Sequence, residues 1–286
     1  MIIAQITDTH VLPEGRKLGD LIDTNAQLEA AVRQLNGLST PADVVLVTGD
    51  LTEDGEGESY AALRARLASL DSPFYLIPGN HDRRQAIVEA FPDHAYLPRN
   101  DFLQYAIEDH AVRLVALDTL VEGRDEGALC EERLAWLDAL LAEKSDRPVL
   151  IFMHHPPLES GIWWMDAMGL SGARGLRAVL GRHRQVRLIV CGHVHRPFHS
   201  VLNGVPVAVA PSVVWQVHLD LVPESRPHAA LEPAAAFLHV WNGDAFVTHT
   251  SYVMPDAKPV DLSARMGDWP RVLDRLRAQK AALLEA

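Results

Sequence analysis

The chain reads as an α/β sandwich, with sheets inside and helices outside. Three features lead there. Short β-branched runs such as Val44–Thr48 and Val149–Met153 are apolar on both faces, as strands buried between two layers are. Over the first two-thirds of the chain such runs alternate with helical segments. From about residue 198 onward the texture is mostly strand, so a strand-rich C-terminal extension is expected.

Each element has a local signal. Residues 2–6 form an apolar strand ending at Thr7-Asp8. In the helix at 24–36, Thr24 reads as the N-cap with Gln27 three residues on, a capping-box spacing, and Leu28, Ala31, Val32 and Leu35 share one face. Residues 44–48 are a buried strand, 56–70 a helix, and 74–77 a strand stopped by Pro78-Gly79. A helix at 83–91 ends before Pro92, and strands follow at 103–108 and 112–117. The amphipathic helix at 131–143 turns Trp136 and Leu140 to the core. A strand at 149–153, a helix at 175–182 and a strand at 187–191 come next. Strands are then expected at 198–202, 205–210, 213–221, 237–241 and 245–252. The Pro- and Ala-rich segment 223–236 reads as a loop excursion. A helix at 268–285, carrying Leu273, Leu276 and Leu283, closes the chain. The organisation is therefore one domain over 1–255 and a helical tail over 256–286.

Composition narrows the class. At 286 residues, 48% apolar and 22% charged, the chain can bury a sizeable core. Its 26 basic and 38 acidic residues leave a net charge of −12, with no basic run, which argues against a nucleic-acid partner. Two cysteines, Cys130 and Cys191, exclude a disulfide scaffold. No stretch reaches the ~20 apolar residues of a membrane span, and the first residues do not read as a signal peptide. A cytoplasmic location is expected.

The polar residues that follow the strands carry the chemistry. Asp8-Thr9-His10, Gly49-Asp50, Gly79-Asn80-His81-Asp82, His154-His155 and Gly192-His193-Val194-His195 each lie just past a strand's carboxyl end. That edge is where α/β sheets bind ligands. Carboxylate oxygen and imidazole nitrogen suit Zn, Mn, Fe or Co. A glycine before Asp50, Asn80 and His193 permits tight turns and close backbone approach. A pair of metals would need a bridging carboxylate, for which Asp50 is the natural candidate. The eight histidines outside these clusters read as surface or satisfied core residues.

These clusters resemble the calcineurin-like metallophosphoesterase family, whose pattern is D-x-H, G-D, G-N-H-D/E, a later H, and G-H-x-H. The match spans residues 8–195. The resemblance implies two stacked β-sheets flanked by helices, a four-layer sandwich. It implies one metal held by Asp8, His10, Asp50 and His195, and a second held by Asp50, Asn80, His154 and His193. It also implies that His81 contacts the phosphoryl group without binding metal. The stretch Gly49–Gly55 and the run His154-His155-Pro156-Pro157 with Gly161, Met165 and Asp166 are similar to bacterial cyclic-nucleotide and glycerophosphodiester phosphodiesterases. Glu53 and Asp54 stand where Ser/Thr protein phosphatases carry Asp and Arg, which disfavours that branch.

The activity so implied is in-line hydrolysis of a small phosphodiester by a metal-activated hydroxide. Asp82, Glu53 and Asp54 are expected to accept hydrogen bonds from groups around the metals. Substrate contacts are expected from Asn80, His81 and His155, and from Trp163, Trp164 and Asp166 in the loop 158–173. A nuclease or a phosphomonoesterase on the same metals is the alternative chemistry, and a non-catalytic scaffold the alternative class. A homo-oligomer is expected.

Overall fold

The computed structural model describes residues 1–99 and 101–285, which divide into two compact units, Met1–Pro255 and Asp256–Ala286. The first unit runs β1 (Ile2–Ile6), α1 (Thr24–Asn36), β2 (Val44–Thr48), α2 (Gly57–Leu67), β3 (Phe74–Ile77), α3 (Arg84–Ala90), β4 (Tyr105–Ile107), β5 (Arg113–Leu117), β6 (Gly127–Ala128), α4 (Glu131–Glu143), β7 (Val149–Met153) and α5 (Trp163–Asp166). It continues through β8 (Leu170–Ser171), α6 (Ala173–Leu180), β9 (Val186–Cys191), β10 (Phe198–Leu202), β11 (Val205–Val209), β12 (Gln216–Val217), β13 (Ala229–Ala230), β14 (Ala235–Trp241) and β15 (Phe246–Tyr252). The second unit holds a 3-10 turn at Ser263–Arg265 and α7 (Trp269–Glu285).

Two mixed sheets form the centre. The five-stranded sheet has the order β15-β14-β1-β2-β3, with β1, β2 and β3 parallel. The six-stranded sheet has the order β10-β11-β9-β7-β5-β4, with β11, β9, β7 and β5 parallel. Side chains alternate across a strand, so each strand serves two layers. In the six-stranded sheet Leu114, Ala116, Leu150, Phe152, Leu188 and Val190 face one core, which also contains the first sheet, α1 and α2. The intervening Val115, Leu117, Ile151, Met153, Ile189 and Cys191 face the other, with Leu137 and Leu141 of α4 and Leu176 and Val179 of α6. The result is a four-layer sandwich. The strand-rich last third joins both sheets: β10 and β11 extend one, β14 and β15 the other.

Several local expectations are corrected. The N-cap of α1 is Asp23, whose carboxylate accepts from Ala26 N at 3.0 Å, while the Thr24 hydroxyl is buried without a partner. A carboxylate one residue earlier is the stronger cap. The strand expected at 213–221 shrinks to Gln216–Val217 because Ser212 Oγ accepts from Val214 N (2.9 Å) and bends the chain. The excursion 223–236 contains β13 and the start of β14. On α4 the fully buried line is Arg133, Leu137 and Leu141, with Trp136 and Leu140 partly covered beside it. The short elements β6, β8 and α5 had no sequence signal of their own. Among the described residues no helix is long and apolar enough to cross a membrane.

One buried polar chain ties the sheets together near their carboxyl ends. Gln5 Nε2 donates to Thr48 Oγ1 in its own sheet and to the Cys191 carbonyl of the other, both at 2.9 Å. Its Oε1 accepts from His239 Nε2 at 3.1 Å, and His239 Nδ1 meets Thr248 Oγ1 at 2.9 Å. Burial pushes the His239 pKa down to about 3, so the ring is neutral. Gln5→Leu would leave the His239 N–H unpaired inside the sandwich. The expected loss is about 2 kcal/mol in urea unfolding, and an unchanged midpoint would contradict the role given to Gln5.

Candidate metal centre

The turns after β1, β2, β3, β7 and β9 meet at one edge of the sandwich. Backbone bonds hold them together: Asp8 N to Gly49 O (3.1 Å), His10 N to Asp50 O (3.0 Å) and Gly192 N to His154 O (3.0 Å). Asp8, His10, Asp50, His193 and His195 adopt left-handed φ values of 53°, 42°, 46°, 71° and 51°. Asp and His tolerate that region better than most residues, but each such position still costs about 1–3 kcal/mol. Two glycines let the turns close. A Cβ on Gly79 would strike Asp50 N and Oδ1, and one on Gly49, at φ +91°, would strike the His154 ring.

The seven expected ligands converge, and hydrogen bonds set which ring nitrogen of each histidine faces inward. His10 Nδ1 donates to Glu53 Oε2 at 2.7 Å, and His195 Nδ1 to the Trp215 carbonyl at 3.1 Å. Both Nε2 atoms are then lone pairs, yet they face each other at 2.9 Å. Asp8 Oδ1 lies 3.3 Å from His195 Nε2, and Asp50 Oδ2 lies 3.7 Å from His10 Nε2. Four acceptors aimed at one point is an arrangement that a cation resolves.

The second set repeats the logic. His154 Nδ1 donates to the Thr48 carbonyl at 2.8 Å, and His193 Nε2 to the Met168 carbonyl at 3.0 Å. The remaining nitrogens, His154 Nε2 and His193 Nδ1, face Asn80 Oδ1 at 3.1 and 3.0 Å. Asp50 Oδ1 completes the group, 3.4 Å from His154 Nε2. Asp50 thus sends one oxygen toward each set. His154, His193 and His155 also cluster within 4.8 Å. His155, however, donates from Nε2 to the Asp125 carbonyl (3.1 Å) and accepts at Nδ1 from the Thr119 hydroxyl (2.8 Å), so it has no lone pair left.

The charges agree with a site built for cations. Burial opposes ionisation of Asp8 and Asp50, yet both are held below the usual carboxylate range by His195 and His154. Burial likewise opposes a charge on His154, but the Asp50 carboxylate raises its pKa to about 9. His193, buried beside His154, falls to about 4. A metal placed here would supply the positive charge that Asp50 otherwise draws onto His154.

The other expected residues divide. His81 donates from its backbone N to Asp50 Oδ1 (3.0 Å) and from Nδ1 to the Glu53 carbonyl (2.8 Å). Its Nε2 has no hydrogen-bond partner among the described residues, and its side chain is 34% exposed. Asp82 accepts from Leu51 N, Thr52 N, Tyr60 Oη and Gly79 N at 2.8–3.3 Å, which clamps two turns together. Asp54 caps its own turn through Glu56 N. Asp166 is consumed by Ser160 and Gly161, and Trp164 packs into the second core. His155 is fully buried behind His193, with ring centroids 4.4 Å apart. The structure brings neither His155 nor Asp166 to an open surface of the site. Trp163 remains exposed. Arg84 forms a bidentate pair with the buried Asp118.

Sequence reasoning missed Trp215, whose ring packs against His195 at a tilt of 39° with centroids 4.1 Å apart and whose carbonyl fixes that histidine. It also missed the Thr48 and Met168 carbonyls. Main-chain groups have no residue signature. For Trp215 an available signal was an aromatic residue three positions after Ser212 of the Pro211-Ser212 break.

Comparison with known proteins agrees with this geometry. The model of the calcineurin-like phosphoesterase family matches residues 1–197. A protein of Arcobacter nitrofigilis, named a probable glycerophosphodiester phosphodiesterase, is 37% identical, over 88% of this chain and 93% of its own. A probable cyclic nucleotide phosphodiesterase of Rhodopseudomonas palustris is 38% identical, over 88% of this chain and 92% of its own. The crystal structure of a dimetal phosphatase from Danio rerio shares the fold, with a TM-score of 0.66 at 18% identity, over 89% of this chain and 96% of that one. Matching along most of their length, and with the family's pattern met residue by residue at one edge of the sandwich, the chain belongs to the calcineurin-like phosphoesterase family.

Proposed function

We propose that this chain is a metal-dependent phosphodiesterase that hydrolyses small diesters, of the cyclic-nucleotide or glycerophosphodiester type, at a two-metal centre. The observation that carries the reading is Asp50, whose two oxygens lie 3.7 Å from His10 Nε2 and 3.4 Å from His154 Nε2, between two separate sets of lone pairs. Asp8, His10, Asp50 and His195 would hold one ion, and Asp50, Asn80, His154 and His193 the other. Oxygen and nitrogen donors without a thiolate suit Fe, Mn, Zn or Co. Bound ions would supply Lewis acidity, which lowers the pKa of water from about 15.7 to about 7 and offsets charge on the phosphoryl oxygens.

The chain's own groups supply the rest. Glu53, Trp215, Thr48 and Met168 fix the ring orientations. His81, anchored through Nδ1 with Nε2 unpartnered, would donate to a phosphoryl oxygen or to the departing alkoxide. The loop 158–173 is tied to the centre through Met168, and its exposed Trp163 is left to contact the organic part of the substrate. The named activities of the two relatives support a diester over a monoester. The charge of −12 disfavours a nucleic acid. Exposed Leu219, Leu221 and Val222 support assembly of several copies.

The reading is tested by turnover on the metal-reconstituted protein. Bis(p-nitrophenyl) phosphate should be cleaved in preference to p-nitrophenyl phosphate, and the activity should vanish with chelator and in Asp50→Ala. Cyclic nucleotides against a glycerophosphodiester then place the substrate class. No turnover of any ester with both metals bound would overturn it. His81→Ala should retain both metals and lose about 10²–10⁴-fold in kcat. Undiminished turnover in that variant would remove His81 from the chemistry.

A further inference from the structure

A cavity of about 540 Å³ lies where the two sheets open between the free edge strands β10 and β15. Leu188, Pro206 and Ala208 of the six-stranded sheet and Phe246 and Thr248 of β15 line it. Leu188, Pro206, Phe246 and Thr248 lie toward the amino ends of β9, β11 and β15, and Ala208 lies two residues further along β11. For β9 that is the end opposite the turn that carries His193 and His195, so the cavity is separate from the metal centre. Its volume is in the range of small-molecule sites.

The charges around it are not balanced by the fold. Arg184 and Arg187 are exposed at its rim and have no ion-pair partner among the described residues, whereas the neighbouring Arg182 and His183 share Asp138. Asp244 is the one carboxylate in the lining. His199 also lines the cavity, with its ring edge-on to Phe237 at 5.5 Å. Two guanidinium forks at the mouth of an apolar floor, in a chain of net charge −12, are placed for a ligand that is anionic at one end and apolar at the other.

We propose that this cavity binds a small organic anion, a carboxylate or phosphate on an apolar or aromatic body. The anionic group pairs with Arg184 and Arg187, and the body lies against Leu188, Ala208 and Phe246. An inorganic anion alone gains nothing from the apolar floor and binds more weakly.

Calorimetric titration of the metal-loaded protein with phenylbutyrate, adenosine monophosphate and inorganic phosphate tests this. The two guanidinium groups make no hydrogen bond or ion pair among the described residues, so Arg184→Ser/Arg187→Ser is expected to fold and to keep wild-type cleavage of bis(p-nitrophenyl) phosphate. At least one organic anion should bind the wild type in the millimolar range or tighter, and at least about tenfold more weakly the double variant. The tighter of the two identifies the body as aliphatic-aromatic acid or nucleotide. In wild-type protein the backbone amide resonances of Ala208 and Phe246 should shift on the same titration, a readout that needs no variant. Binding undiminished in the double variant, shifts confined to the turns of the metal centre, inorganic phosphate shifting the Ala208 and Phe246 amides at as low a concentration as the organic anions, or no binding of either organic anion would overturn the proposal.

Discussion

A single buried carboxylate has to face two ways. Asp50 is 2% exposed and receives one backbone hydrogen bond, from His81. Its other neighbours are imidazoles whose second nitrogens are already committed to Glu53 and to the Thr48 carbonyl. A buried charge with so few donors is costly unless opposite charge is brought to it. The chain arranges two sets of lone pairs around that charge, one on either oxygen. Cations placed there satisfy the carboxylate, the imidazoles and the Asn80 amide oxygen together.

The residues proposed to hold the ions come from both sheets of the sandwich. Asp8, His10, Asp50 and Asn80 follow strands of the five-stranded sheet, while His154, His193 and His195 follow strands of the six-stranded sheet. A slip of one sheet against the other would separate the two sets. Gln5 opposes that slip through its bond to the Cys191 carbonyl, one residue before the turn that presents His193. Five of the proposed ligands, in left-handed backbone, add strain that the packed cores on either side must offset. Core and site are therefore one structural problem: the layers hold turns in place that would relax on their own.

Much of this was legible in the sequence. The clusters stood out because each follows an apolar run, and a strand's carboxyl end is where side chains reach a shared edge. The glycines before Asp50 and Asn80 were readable as close approaches, and the structure shows what they approach: His154 and Asp50. Glu53 and Asp82 were readable as acceptors near the ligands. What stayed hidden was contributed by the main chain or by bends without periodicity. The Thr48, Trp215 and Met168 carbonyls orient three histidines, and carbonyls have no residue identity. Ser212 turned an apolar run that looked like a strand into the bend that delivers Trp215. Asp166, Trp164 and His155 looked available for substrate, but satisfied loop bonds, core packing and burial are tertiary facts.

The claim on which the account rests is that Asp50 is shared between two ions. Metal content after reconstitution with manganese and desalting, measured by mass spectrometry on the wild type, Asp8→Ala and Asp50→Ala, tests it directly. The account predicts two equivalents per chain in the wild type, about one lost in Asp8→Ala, and both weakened in Asp50→Ala. A wild type that holds one ion, or an Asp50→Ala variant that retains both as firmly as the wild type, would contradict it.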